Sequence, residues 1–125
     1  MGADTLDSIC RRAGVASAQF VKIDVQGAEA QVVRGAAGLL GASTDCILMT
    51  EFWPYGLARC GGDGLEYLGM LRDLGFRLYQ LSGNRGTLTA IGTPEELVAR
   101  TQGRRYANLV GLKGKPAAVD SGIQA

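Results

Sequence analysis

Short apolar runs, most of them closed by a glycine or an acid, follow two different spacings along the chain and divide it into elements. Leu6, Ile9 and Cys10 recur at helical spacing, with Asp4 or Thr5 as N-cap and Gly14 as the stop. Phe20-Val21-Lys22-Ile23-Asp24-Val25 is nearly continuous in apolar and β-branched residues and is closed by Gln26-Gly27. Such a run, with one acid near its end, predicts a central parallel strand covered on both faces. From Ala28 to Leu40, the positions Val32, Val33, Ala36, Leu39 and Leu40 form one helical stripe, ended by Gly41. Cys46 to Glu51 predicts a second buried strand, again with an acid at its C-terminal end, and Phe52-Trp53-Pro54-Tyr55-Gly56 an aromatic loop.

Asp63 and Glu66 have capping-box spacing ahead of a helix carrying Leu65, Leu68, Leu71 and Leu74, with Gly75 at its C-terminus. Phe76 to Ser82 alternates imperfectly as a strand, Gly83-Asn84-Arg85-Gly86 is a turn, and Thr87 to Ile91 pairs back. Thr93-Pro94-Glu95-Glu96 combines an N-cap threonine, a first-turn proline and a glutamate at the third position, so a short helix starts there. Tyr106 to Leu112 is the final strand, expected to run antiparallel. The alternation of strands and helices predicts an α/β fold in one domain over residues 1–112, with 113–125 a flexible tail.

Composition narrows the function classes. The hydrophobic fraction is 46%, the charged fraction 20% and the net charge +1, a globular balance with no footprint for nucleic acid. No apolar run reaches the roughly 20 residues a bilayer helix needs, and the start lacks a secretory pattern, so a cytoplasmic protein is expected. With no histidine and three scattered cysteines, Cys10, Cys46 and Cys60, structural zinc sites and thiol–imidazole pairs are poorly served. Any general base is then a carboxylate, a tyrosine, a lysine or water. Arg100, Arg104 and Arg105 form the nearest thing to a basic patch and read first as a solvated face.

Three carboxylates are candidates for chemistry. Asp24 and Glu51 end two strands joined by one helix, where open parallel sheets bind ligands. Glu29 lies in the first turn of that helix, where its charge suits the helix dipole, and Gly27 makes the tight turn. Together they form an acidic rim able to take a proton, grip a hydroxyl or amine, or hold a hard divalent cation. The simpler alternatives are that Glu29 caps its helix and that the strand-end acids solvate loops. Asp24 resists that explanation, because a charge beside an apolar run is costly unless paired or used.

Thr5-Leu6-Asp7, then Val21-Lys22-Ile23-Asp24-Val25-Gln26-Gly27-Ala28-Glu29, then Val33-Arg34-Gly35-Ala36 resemble the signature of the FkbM methyltransferases. That family reads TLD, a spacer, KIDVEGAE, and a helix with leucine- or valine-RGA. Thr50-Glu51 and Asn108-Leu109-Val110 extend the likeness, so it spans residues 5 to 112, with Gln26 the one departure, where glutamate is usual. The resemblance implies a partial Rossmann-like class I methyltransferase sheet and S-adenosylmethionine-dependent O-methylation of a sugar or natural-product hydroxyl. It makes Asp24 the base and a donor contact beside Gly27, and Glu51 its support or, with Asp24, a Mg ligand. Glu29 orients the loop, and Trp53 and Tyr55 line the acceptor pocket unless they simply pack the core.

The donor's glycine-rich loop has no counterpart in the chain: Gly61-Gly62-Asp63-Gly64 and Gly83-Asn84-Arg85-Gly86 do not follow a strand and open a helix. The expectation is a truncated domain whose first strand has a bare edge and which dimerises or docks onto a partner supplying the missing half. The alternatives are a non-catalytic assembly module and, more weakly, a cation- or small-molecule-binding domain using the acidic rim.

Overall fold

In the computed structural model, which describes residues 5–82, 86–115 and the backbone of 123–124, elements form where the apolar spacing places them, with local differences. Helix α1 (Leu6–Ala13) begins at Thr5, whose hydroxyl accepts the Ser8 N–H at 3.1 Å, and ends at Gly14 in the left-handed region. Strand β1 is Phe20–Ile23, two residues shorter than its apolar run, because the chain turns after Ile23. The stripe over 28–40 is not one helix. It divides into α2 (Glu29–Gly35) and α3 (Ala37–Ala42) at Ala36, whose φ of −115° is not helical. Gly35 and Gly38 weaken the helix on either side of the break. The Asp7 carboxylate accepts the N–H groups of Gly38 and Leu39, both at 2.8 Å, so it starts a new helix there.

Strand β2 (Cys46–Phe52) follows, then α4 (Pro54–Arg59), where an aromatic loop was expected. Phe52 belongs to the strand and is fully buried, because alternation places it on the same face as Cys46, Leu48 and Thr50. Pro54 suits a first helical turn, where its missing N–H has no intrahelical partner to lose. Helix α5 (Gly64–Asp73) starts at Asp63, which accepts the Glu66 N–H at 3.0 Å. Its inward face is Tyr67, Leu68 and Leu71, whereas Leu65 is 43% exposed, so the stripe is rotated from the all-leucine reading. Strands β3 (Arg77–Leu81) and β4 (Leu88–Ala90) make a hairpin, and α6 (Pro94–Arg100) begins at Thr93 as its capping residues predict. Strand β5 (Ala107–Lys113) includes the first residue of the expected tail, and Ile123–Gln124 form a two-residue β6. Asp4 and the turn residues 83–85 lie outside the described residues.

The sheet order is β1-β2-β5-β3-β4-β6. β1 and β2 are parallel, joined through α2 and α3. β5 enters between β2 and β3 and runs antiparallel to both, as expected for the last long strand. This is a mixed sheet of a partial Rossmann-like α/β fold. One face packs against helices through Ile23, Leu48, Phe52 and Leu109, with Val33, Leu57, Leu68 and Leu97 from the helices. Cys46 sits in that core, where burial pushes its thiol up against the opposing pull of Lys113. The other face carries a smaller cluster around Leu88, Val110 and Leu112. β1 lies at the edge of the sheet, as expected for a truncated domain, but it is not covered on both faces, since Phe20 and Lys22 are exposed.

Candidate functional site

Parallel pairing aligns Ile23 with Thr50, so Asp24 and Glu51 follow side by side at the C-terminal ends of β1 and β2. Both line one cleft of about 250 Å³ together with Lys22, Met49, Leu81 and Asn108. Asn108 stands opposite Glu51 across the β2–β5 pairing, a neighbour that the sequence hides because it comes from the far end of the chain. Asp24 is exposed at the mouth, where its carboxylate accepts the Gln26 side-chain N–H at 3.2 Å. Glu51 is half-buried. Burial first, then the charges of Asp24 and Glu29, raise its proton affinity above that of an ordinary glutamate.

The other two residues of the predicted rim hold the turn. Glu29, 1% exposed, points inward and accepts the N–H groups of Gly27 at 2.9 Å and Val25 at 3.4 Å. Its carboxylate therefore reaches the cleft by its field and not by contact. Gln26 and Gly27 both have positive φ, 53° and 106°, so the turn winds left-handed just after Asp24. A side chain on Gly27 would meet the Gly56 carbonyl oxygen at 2.5 Å, so the close approach its hydrogen permits is to α4. Behind the turn the Thr50 hydroxyl and the Tyr67 phenol form a buried 2.7 Å hydrogen bond. Burial drives the Tyr67 hydroxyl well above its ordinary range, so it stays protonated.

Trp53 and Tyr55 do not line the acidic cleft. Their ring centroids are 5.6 Å apart, and the Trp53 indole donates to the Arg104 carbonyl at 3.2 Å. The Arg104 guanidinium lies 4.8 Å and that of Arg59 5.7 Å from the Tyr55 ring centre. The basic patch read from sequence is thus divided: Arg104 joins this cluster, while Arg100 donates to the Ile91 carbonyl and the Gln80 side chain. Among the described residues, no three His, Cys, Asp or Glu side chains gather into a metal-binding group. No helix among the described residues is long and apolar enough to cross a membrane.

The family described as Methyltransferase FkbM domain has a model that matches residues 3–78, more than half of the chain. The match contains α1, the Asp24 turn, Glu29, β2 with Glu51, and α5, and it ends within β3, short of the likeness drawn to Leu112. No curated protein and no solved structure matches the chain. The chain belongs to the FkbM methyltransferase family.

Proposed function

We propose that this member of the FkbM family acts in S-adenosylmethionine-dependent O-methylation of a small hydroxylated molecule, such as a sugar or natural product, with Asp24 and Glu51 as its acidic centre. The observation that carries the reading is the convergence of these two carboxylates on one cleft at the C-terminal ends of adjacent parallel strands. That is where open α/β sheets take ligands.

The donor, when bound, supplies an electrophilic methyl group on a sulfonium. The residues of this chain fit part of it. An exposed carboxylate suits a hydroxyl, ammonium or sulfonium group, and Asp24 offers one. A cleft of about 250 Å³ falls below the roughly 300–1,000 Å³ of pockets that enclose a ligand of that size. Asp24 would hold one end of the donor and accept a hydrogen bond from the acceptor hydroxyl. Transfer would break the donor's S–CH3 bond as the acceptor oxygen bonds to that carbon, the sulfur leaving as a neutral thioether, and the carboxylate pair would take the hydroxyl proton. Glu51 is suited to receive it, because its environment favours the protonated form. Glu29 keeps the turn, and hence Asp24, in place. Asp24 and Glu51 offer two carboxylates to a magnesium ion, too few to fix one without ligand or solvent oxygens.

The remaining wall of the donor site comes from a segment bearing a glycine-rich loop, whether of this protein, another copy or a partner. The free edge of β1 and the exposed Phe20 (55%) and Val25 (41%) support such docking. Cys10, Cys46 and Cys60 are unpaired, which suits a reducing cytoplasm. The exposed edge also favours the second reading, an assembly module without catalysis. Calorimetric titration of S-adenosylmethionine, with and without magnesium, separates the two. The enzyme reading predicts saturable binding, weakened about tenfold by Asp24→Asn, since a charged partner is lost. A folded chain that binds no donor, or binds it unchanged in Asp24→Asn, leaves the assembly module.

A further inference from the structure

The cluster of Trp53, Tyr55, Arg59 and Arg104 is absorbed neither by the core nor by the acidic cleft. Its placement is fixed by the sheet: Trp53 directly follows β2, Arg104 shortly precedes β5, and Phe52 pairs with Ala107 across those two strand ends. The cluster therefore stands at the same end of the sheet as Asp24 and Glu51. Two exposed guanidinium groups converge on one half-buried ring, at 4.8 and 5.7 Å from its centre. The Arg59 guanidinium also donates to the Tyr55 hydroxyl at 3.4 Å.

Four other arginines of the chain are spoken for. Arg34 pairs with Glu66, and Arg72, Arg77 and Arg100 donate to the backbone carbonyls of Gly92, Gly114 and Ile91. Among the described residues, neither Arg59 nor Arg104 has a carboxylate within ion-pair distance. Each exposed cation–π contact is worth only about 0.5–1 kcal/mol, and two like charges gathered on one ring repel. An oxyanion bound at these guanidinium groups offsets that repulsion and takes up their planar N–H forks, which match phosphate and carboxylate geometry. The Trp53 indole, holding the Arg104 carbonyl at 3.2 Å, fixes the backbone that carries one fork.

We infer that Arg59 and Arg104, stacked on Tyr55, bind an oxyanion group of the acceptor, so that the substrate is an anionic hydroxyl compound, a phosphorylated or carboxylated sugar or polyol. The inference rests on the acidic cleft being the acceptor site for the position of the hydroxyl, while anion binding is measured independently of it. The acceptor then spans the strand ends, its hydroxyl at Asp24 and Glu51 and its anionic group at the cluster.

The test titrates glucose 6-phosphate, glucuronate and glucose into the whole chain. At least one anionic sugar is expected to bind about tenfold or more tightly than glucose, and the tighter of the two assigns the oxyanion as phosphate or carboxylate. Arg59→Ala and Arg104→Ala each remove most of that preference, and Arg104→Lys restores part of it. Asp24→Asn lowers all the affinities together and leaves the ratio intact. Equal affinity for the three sugars, or a preference that survives the double alanine variant with its circular dichroism unchanged, overturns the inference. If the preference holds while donor binding fails, only the methyl-transfer reading falls. Donor binding without the preference removes the anionic acceptor alone.

Discussion

Gly27 meets two constraints at once, a left-handed φ of 106° and the Gly56 carbonyl 2.5 Å from where a side chain would begin. Either is met by glycine alone, and Gly27→Ala is expected to cost about 2–4 kcal/mol, from left-handed strain plus overpacking. Urea unfolding checks it: the midpoint falls with little change in slope. Glu51 makes a prediction of opposite sign. Burial, then the charges of Asp24 and Glu29, raise its pKa in the folded chain, so folding favours the protonated acid. The cost to stability is absent below the unfolded pKa, grows as pH rises, and is complete above the raised folded value. Glu51→Gln therefore raises the urea midpoint at neutral pH, and acidification below the ordinary carboxylate range erases the gain. At this scale the sequence made Asp24 and Glu51 legible, because acids ending apolar runs stand out. It left the direction of Glu29 open between rim and cap, and only the two N–H groups it accepts decide that.

Between elements, Asp7 couples α1 to α3 by accepting the first free N–H groups of the second helix. Asp7→Ala leaves those donors without a side-chain partner and is expected to cost about 1–2 kcal/mol, as loss of a capping residue does. Thermal unfolding followed by circular dichroism reads this as a lower midpoint. The same bond explains why one predicted helix became two. Gly35 and Gly38 weaken the stripe without marking where it breaks, and a cap delivered from more than thirty residues away is invisible to local spacing. Elements whose ends are coded nearby, α1 at Thr5 and Gly14 and α6 at Thr93-Pro94, fall where the residues place them. Phe52 and α4 read as loop from sequence because aromatic and proline residues suggest a break. In the sheet, alternation buries the phenylalanine and the proline opens a helix.

Among the described residues, β1 ends the sheet with a free edge, and Phe20 and Lys22 on one of its faces are exposed. Light scattering behind size-exclusion chromatography is expected to show a dimer at micromolar concentration, weakened by Phe20→Lys. A well-folded monomer throughout that range removes self-association from the account. Strand order was only partly legible: β5 comes last in the chain yet lies between β2 and β3, and that insertion brings Asn108 beside Glu51. The functional account depends on Asp24 and Glu51 sharing one electrostatic site. Carbon-detected NMR titration of the Glu51 carboxyl, in the native chain and in Asp24→Asn, tests this directly. The expected midpoint lies above the ordinary glutamate range and falls part of the way back in Asp24→Asn, burial remaining the larger cause. An identical midpoint in the two proteins would mean that the carboxylates do not sense each other, and the acidic centre would have to be abandoned.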